Sequence, residues 1–137
     1  MIHMFVYGIF KGADKRYSYL FQDCKFLGPA TAPGFVLLEH VGPAAMVPGE
    51  IFSSVGADNT IAKGEVIEVP DARVDEVLGS LDRIESNGRA YIRAKINVHL
   101  DAGRQIEAYA YLWIEHYSAE EVIADGSWFH PGFGGRI

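Results

Sequence analysis

One cysteine in 137 residues leaves no partner for an internal disulfide. Cys24 therefore reads as a core or surface thiol, and a reducing compartment suits it. Long apolar runs are missing too. The longest, 34–38 and 108–114, fall far short of the ~20 residues that span a bilayer. The opening stretch 1–7 has neither the basic start nor the small-residue cleavage site of a signal peptide. Positive charge is in deficit, with 12 Lys and Arg against 18 Asp and Glu for a net charge of −6. That removes the counterion-release drive toward DNA or RNA. The five histidines, His3, His40, His99, His116 and His130, show no metal-ligand spacing, so no metal site is expected. No Gly-x-Ser-x-Gly elbow, internal repeat, low-complexity tract or linker is present. These absences predict one domain over residues 1–137, cytoplasmic, engaging a small molecule or another protein and neither nucleic acid nor membrane. The oligomeric state is left open.

Hydrophobic residues make up 49% of the chain, enough for a packed core at this length. Glycine, at 15 residues, falls at punctuation points and predicts many short strands joined by turns. The apolar pattern predicts strands over 2–7, 25–30, 35–40, 61–69, 91–100 and 105–114. A turn at Ala32-Pro33-Gly34 separates the second from the third, and Asp101-Ala102-Gly103-Arg104 makes a hairpin of the last two. A short helix is expected over 13–22, with Tyr17, Leu20 and Phe21 on one side, and a capped helix start at 118–121. The stretch 131–137 reads as a loose tail. Trp113, Trp128, Phe129 and Phe133 serve either the core or an interface.

The strongest helix signal covers 71–85. At 100° per residue, Val74, Val77, Leu78, Leu81 and Ile84 fall in one arc of roughly 120°. Glu85 follows Val74, Leu78 and Leu81 at spacings of four, three and four, near the centre of that stripe. Burial and the negative end of the helix would both raise its pKa, which makes it a candidate proton carrier near neutral pH. Alternatively the helix stops at Ile84 and Glu85 turns into solvent. The residues alone leave both open. In the same way, Tyr7-Gly8-Ile9-Phe10-Lys11-Gly12 is either a plain turn after a buried strand or a cluster of backbone N–H groups that cradles an anion.

Four segments, taken in order, resemble the γ-glutamylcyclotransferase-like family, which includes the γ-glutamylamine cyclotransferases and the AIG2-like proteins. Phe5-Val6-Tyr7-Gly8-Ile9-Phe10 is similar to its opening strand and Tyr-Gly-Thr-Leu turn. Residues 30–38 with Pro33-Gly34-Phe35, then Pro43 before Met46-Val47, resemble its glycine turn, second strand and proline segment. Gly64-Glu65-Val66-Ile67-Glu68-Val69 is similar to its Gly-Glu-Val-Tyr strand. Leu81-Asp82-Arg83-Ile84-Glu85 followed by Tyr91-Ile92-Arg93 resembles its Leu-Asp-x-x-Glu…Tyr-x-Arg signature.

The resemblance implies an α+β fold, a small mixed β-barrel with flanking helices. It also implies a cofactor-free reaction that converts a γ-glutamyl amine or amide to 5-oxoproline and a free amine. Glu85 would be the general acid/base, the turn of Tyr7, Gly8, Ile9 and Phe10 would hold the substrate α-carboxylate, and Tyr91 would line the pocket. One departure stands out: Ile9 and Phe10 replace the family's Thr-Leu, which removes a hydroxyl that could bond substrate. The alternative expectation is a non-catalytic small-molecule-binding or interaction protein on the same fold.

Overall fold

The computed structural model describes residues 1–7, 18–38, 45–48, 61–84 and 91–113, and the backbone of 129–130 and 135–136. Five strands close a barrel in the order β1 (Ile2–Val6), β5 (Ile61–Val69), β2 (Lys25–Pro33), β6 (Tyr91–Leu100) and β7 (Gln105–Trp113). Neighbours run antiparallel except at the closing seam, where β1 meets β7 in parallel through the pair Met4↔Tyr109. A second ladder, β3 (Phe35–Leu38) with β4 (Ala45–Pro48), packs against β5 and β7. Its Val36, Leu37, Ala45, Met46 and Val47 are all buried, so both faces of the hairpin are covered. The helix α1 (Val74–Ile84) follows β5 through a 3-10 turn, Asp71–Arg73. The α+β barrel is thus the fold of the chain.

A barrel of five strands has little internal room, and small residues fill it. Ala30, Ala32, Ala62, Ala108 and Ala110 are buried around Phe5 and Val66. Gly64 is required by contact: a Cβ there would overlap the Val6 carbonyl oxygen and lie 2.8 Å from Phe5 Cζ. Gly103 answers a different need. The β6–β7 loop closes with Gly103 N–H on the Leu100 carbonyl and Leu100 N–H on the Arg104 carbonyl, both 2.8 Å, and Gly103 takes φ +109°. Only glycine adopts that conformation at little cost.

The helix buries the stripe its sequence predicts. Val77 and Leu81 are fully buried, and Val74 and Leu78 pack at the edge. Its start is held by Arg73, which donates to the Leu20 carbonyl at 3.2 Å and to Asp23 at 3.3 Å. Among the described residues, no helix is long and apolar enough to cross a membrane.

Several expectations need correction. The second strand runs on to Pro33, because Pro33 still faces Ile61 at the end of the ladder, where a missing N–H is tolerated. Only a four-residue 3-10 turn, Ser18–Phe21, appears in the described part of the expected 13–22 helix. Gly135–Arg136, expected as loose tail, pairs with Phe129–His130 as β9 with β8. Ile92, an apolar residue of the strand predicted over 91–100, is 47% exposed, whereas Tyr91 is buried. The cause is a change of buried face along the strand. Ile96, Val98 and Leu100 are buried on one face, while Tyr91 and Arg93 lie on the opposite face, where Tyr91 meets Trp113 and Arg93 meets Asp82 of α1. The expected helix start at 118–121 lies outside the described residues.

Because Gly64 accommodates a carbonyl and a ring at once, Gly64→Ala is expected to lower stability by about 2 kcal/mol or more. An unchanged denaturation midpoint would contradict the close approach of β1 and β5.

Candidate active site

Two expected site residues, Tyr7 and Tyr91, fall within the described structure, and both are buried. They converge on the last three residues of β7. The Tyr7 hydroxyl donates to the backbone carbonyl of Tyr111. The Tyr91 ring meets Trp113 edge-on, with centroids 5.1 Å apart at 72°. That contact follows from the register, which sets Tyr91 opposite Trp113 and Arg93 opposite Tyr111. Glu85, Gly8, Ile9 and Phe10 lie outside the described residues. In sequence Gly8 follows Tyr7 directly, and Glu85 follows Ile84, the last residue of α1.

A charged cluster stands at the last turn of α1. Arg93 on β6 donates through Nη1 to both oxygens of Asp82 on α1, at 3.1 and 2.9 Å. The Tyr111 hydroxyl on β7 donates to Asp82 Oδ1 at 2.5 Å. The Arg93 guanidinium also lies 5.7 Å from the centre of the Tyr109 ring. One carboxylate therefore takes three hydrogen bonds from two strands and pins the last turn of the helix to the barrel. Such charge-assisted bonds are shorter and stronger than neutral ones.

The electrostatics of the cluster assign its members a fixed role. Burial, then the bond to Asp82 and its negative charge, push the Tyr111 phenol far above its ordinary range; Arg93 offsets only part of this. Tyr111 stays a protonated donor at any working pH. Asp82 spends its oxygens on Arg93 and Tyr111. The cluster holds geometry.

Asp82 and Arg93 belong to the signature segments but carried no assigned function in the sequence, and Tyr111 and Trp113 lay unmarked in an apolar run. The available signal was a pair of opposite charges flanking a helix-to-strand connection. A groove of about 240 Å³ lies toward the start of β1, lined by Ile2, His3, Lys95, Glu107 and Tyr109 among others. It contains none of the expected site residues, and two of its charges, Lys95 and Glu107, face each other at 3.8 Å. Among the described residues, no group of three or more His, Cys, Asp or Glu is placed to hold a metal ion.

Comparison with known proteins bears on the same region. Residues 4–130 match the family described as gamma-glutamyl cyclotransferase, AIG2-like. A protein of Methanocaldococcus jannaschii, provisionally named a gamma-glutamylcyclotransferase, is 27% identical over 116 residues, which span 84% of this chain and 87% of that one. The crystal structure of an uncharacterized protein from Pyrococcus horikoshii superposes with a TM-score of 0.61 at 24% identity, over 92% of this chain and 88% of its own. An AIG2-like protein from Mus musculus does so with a TM-score of 0.66 at 21% identity, over 88% and 82%. At those identities the two structures establish a shared fold.

Two measurements check the cluster. Arg93→Met leaves a partly buried carboxylate without its cation and is expected to cost about 2–3 kcal/mol, read by chemical denaturation; a loss below ~0.5 kcal/mol would show a solvated pair. The raised Tyr111 pKa adds stability that is fully present below the unfolded phenol value of about 10 and is lost as pH rises beyond it. Wild type should therefore lose more stability between pH 9 and about 11.5 than Tyr111→Phe does. Equal losses would place the hydroxyl in water.

Proposed function

This chain belongs to the gamma-glutamyl cyclotransferase, AIG2-like family, and on that premise we propose that it converts a γ-glutamyl amine or amide to 5-oxoproline and a free amine. The observation that carries the reading is the Asp82 cluster. It fixes the end of α1, three residues before Glu85, against the strands that hold Tyr91 and receive the Tyr7 hydroxyl. Tyr7 and Asp82, distant in sequence, are thereby both tied to Tyr111. The whole chain is proposed to act as one such domain, in the reducing cytoplasm that an unpaired Cys24 suits.

The chemistry needs orientation and a proton carrier. The substrate's own α-amine attacks its γ-carbonyl carbon, forming the ring C–N bond, and the bond to the leaving amine breaks. Glu85 takes the proton lost by the α-amine and returns it to the departing nitrogen, so the enzyme ends as it began. No enzyme nucleophile, electron carrier or metal is required by this sequence of bonds. Backbone N–H groups of Gly8, Ile9 and Phe10 would hold the α-carboxylate, which places the amine over the carbonyl. Tyr7 anchors that turn, and Tyr91 would line the reacting end of the pocket.

A second reading, ligand binding without turnover, draws on the Ile9–Phe10 departure from the family turn. It keeps the pocket and removes only a hydroxyl. Assay of 5-oxoproline release from a panel of γ-glutamyl amines and γ-glutamyl amino acids separates the two. Glu85→Gln is expected to lower kcat by about 100-fold or more with the fold intact by circular dichroism. Full activity in that variant would remove Glu85 from the chemistry. Thermal shifts without release would favour the binding protein.

A further inference from the structure

Tyr111 meets both Tyr7 and Asp82, and it does so with two different groups. Its backbone carbonyl accepts the Tyr7 hydroxyl, at the point where the chain leaves β1 for the 8–10 turn. Its phenol donates to Asp82, one helical turn before Glu85. Its ring is buried, with 4% of its surface exposed, so neither group has water as an easy alternative. Among the described residues β1 and β7 pair in register at Met4↔Tyr109, and the Tyr7–Tyr111 bond adds a side-chain tie further along the same seam. The second tie is shared with Arg93, which lies opposite Tyr111 in the β6–β7 register and grips the same carboxylate.

The geometry points to Tyr111 as a positioning residue that sets the distance between Tyr7, at the end of β1, and Asp82, in the last turn of α1. This rests on the reading of Glu85 and the Tyr7–Phe10 turn given above. A displacement of about 1 Å between a bound substrate and its proton carrier is costly to turnover, even when the substrate still binds. Tyr111 therefore acts on kcat through the alignment of two other groups and touches no reacting atom itself. Tyr109, two residues earlier on the same strand, bears on Arg93 and Lys95 through its ring and ties no part of the site.

The test is a double-mutant cycle on 5-oxoproline release. Tyr111→Phe deletes one hydroxyl and keeps the ring and the carbonyl; Tyr7→Phe deletes the other tie. Tyr111→Phe is expected to lower kcat about tenfold with KM changed less than about threefold. The double variant should fall within about threefold of the worse single variant, because either break releases the same alignment. Tyr109→Phe should stay within about twofold of wild type. A Tyr111→Phe enzyme with wild-type kcat, or single losses that multiply in full in the double variant, would overturn the inference. If wild type releases no 5-oxoproline from any γ-glutamyl compound, the catalytic reading fails by itself and the linkage is read from amide NMR spectra instead. There Tyr111→Phe should move the resonances of Val6 and Tyr7 together with those of Leu81 and Asp82. Shifts confined to the helix would overturn the linkage.

Discussion

The carboxylate of Asp82 receives a guanidinium from β6 and a phenol from β7, and the geometry of the functional end of the barrel depends on that meeting. A helix lying on a sheet is held mainly by apolar contact, which is strong but poorly directional. Val77 and Leu81 supply that contact here, and they would tolerate small sliding motions. Three hydrogen bonds converging on one carboxylate do not. Burial strengthens them and at the same time makes any partial arrangement expensive, since a desolvated charge without partners is heavily penalised. The helix end therefore has one favoured seat, and whatever follows it in the chain begins from a known place.

That division of labour suits a reaction in which the substrate supplies its own nucleophile. Such an enzyme gains most from holding two ends of a flexible molecule in a near-attack arrangement. The groups that do the holding must be rigid, and those that exchange protons must be free to change charge. In this chain Asp82, Arg93 and Tyr111 suit the first task, and the proposed reaction assigns the second to Glu85. The Ile9–Phe10 pair alters the side chains of the turn while leaving its N–H groups in the sequence, so it bears on substrate choice more than on the existence of a pocket.

Local pattern carried far into the fold and then stopped. The strands Ile61–Val69 and Tyr91–Leu100 begin and end where alternation and turn residues predict, because those signals are set by neighbours in the chain. The helix stripe is equally plain. The exposure of Ile92 was not legible, because alternation cannot report where along a strand the buried face changes. The resemblance named Tyr7, Tyr91 and Glu85 through motif order. It could not show that Asp82 and Arg93 bond each other, since that requires knowing which face of β6 the helix covers. Tyr111 was harder still: it lies at the parallel seam, where the side chain of Tyr7, just past the first strand, reaches a carbonyl 104 residues away.

That separation has a consequence for how the protein is made. Closing a loop of that length has an entropic cost that no local contact offsets in advance. The first strand can pair with β5 once residue 69 has emerged, but the barrel stays an open sheet, with a bare edge, until β7 is complete. Tyr7 and Asp82 are thus brought together through Tyr111 by one of the last joints to form. Partly folded chains lack that joint, so any property that depends on it also reports barrel closure.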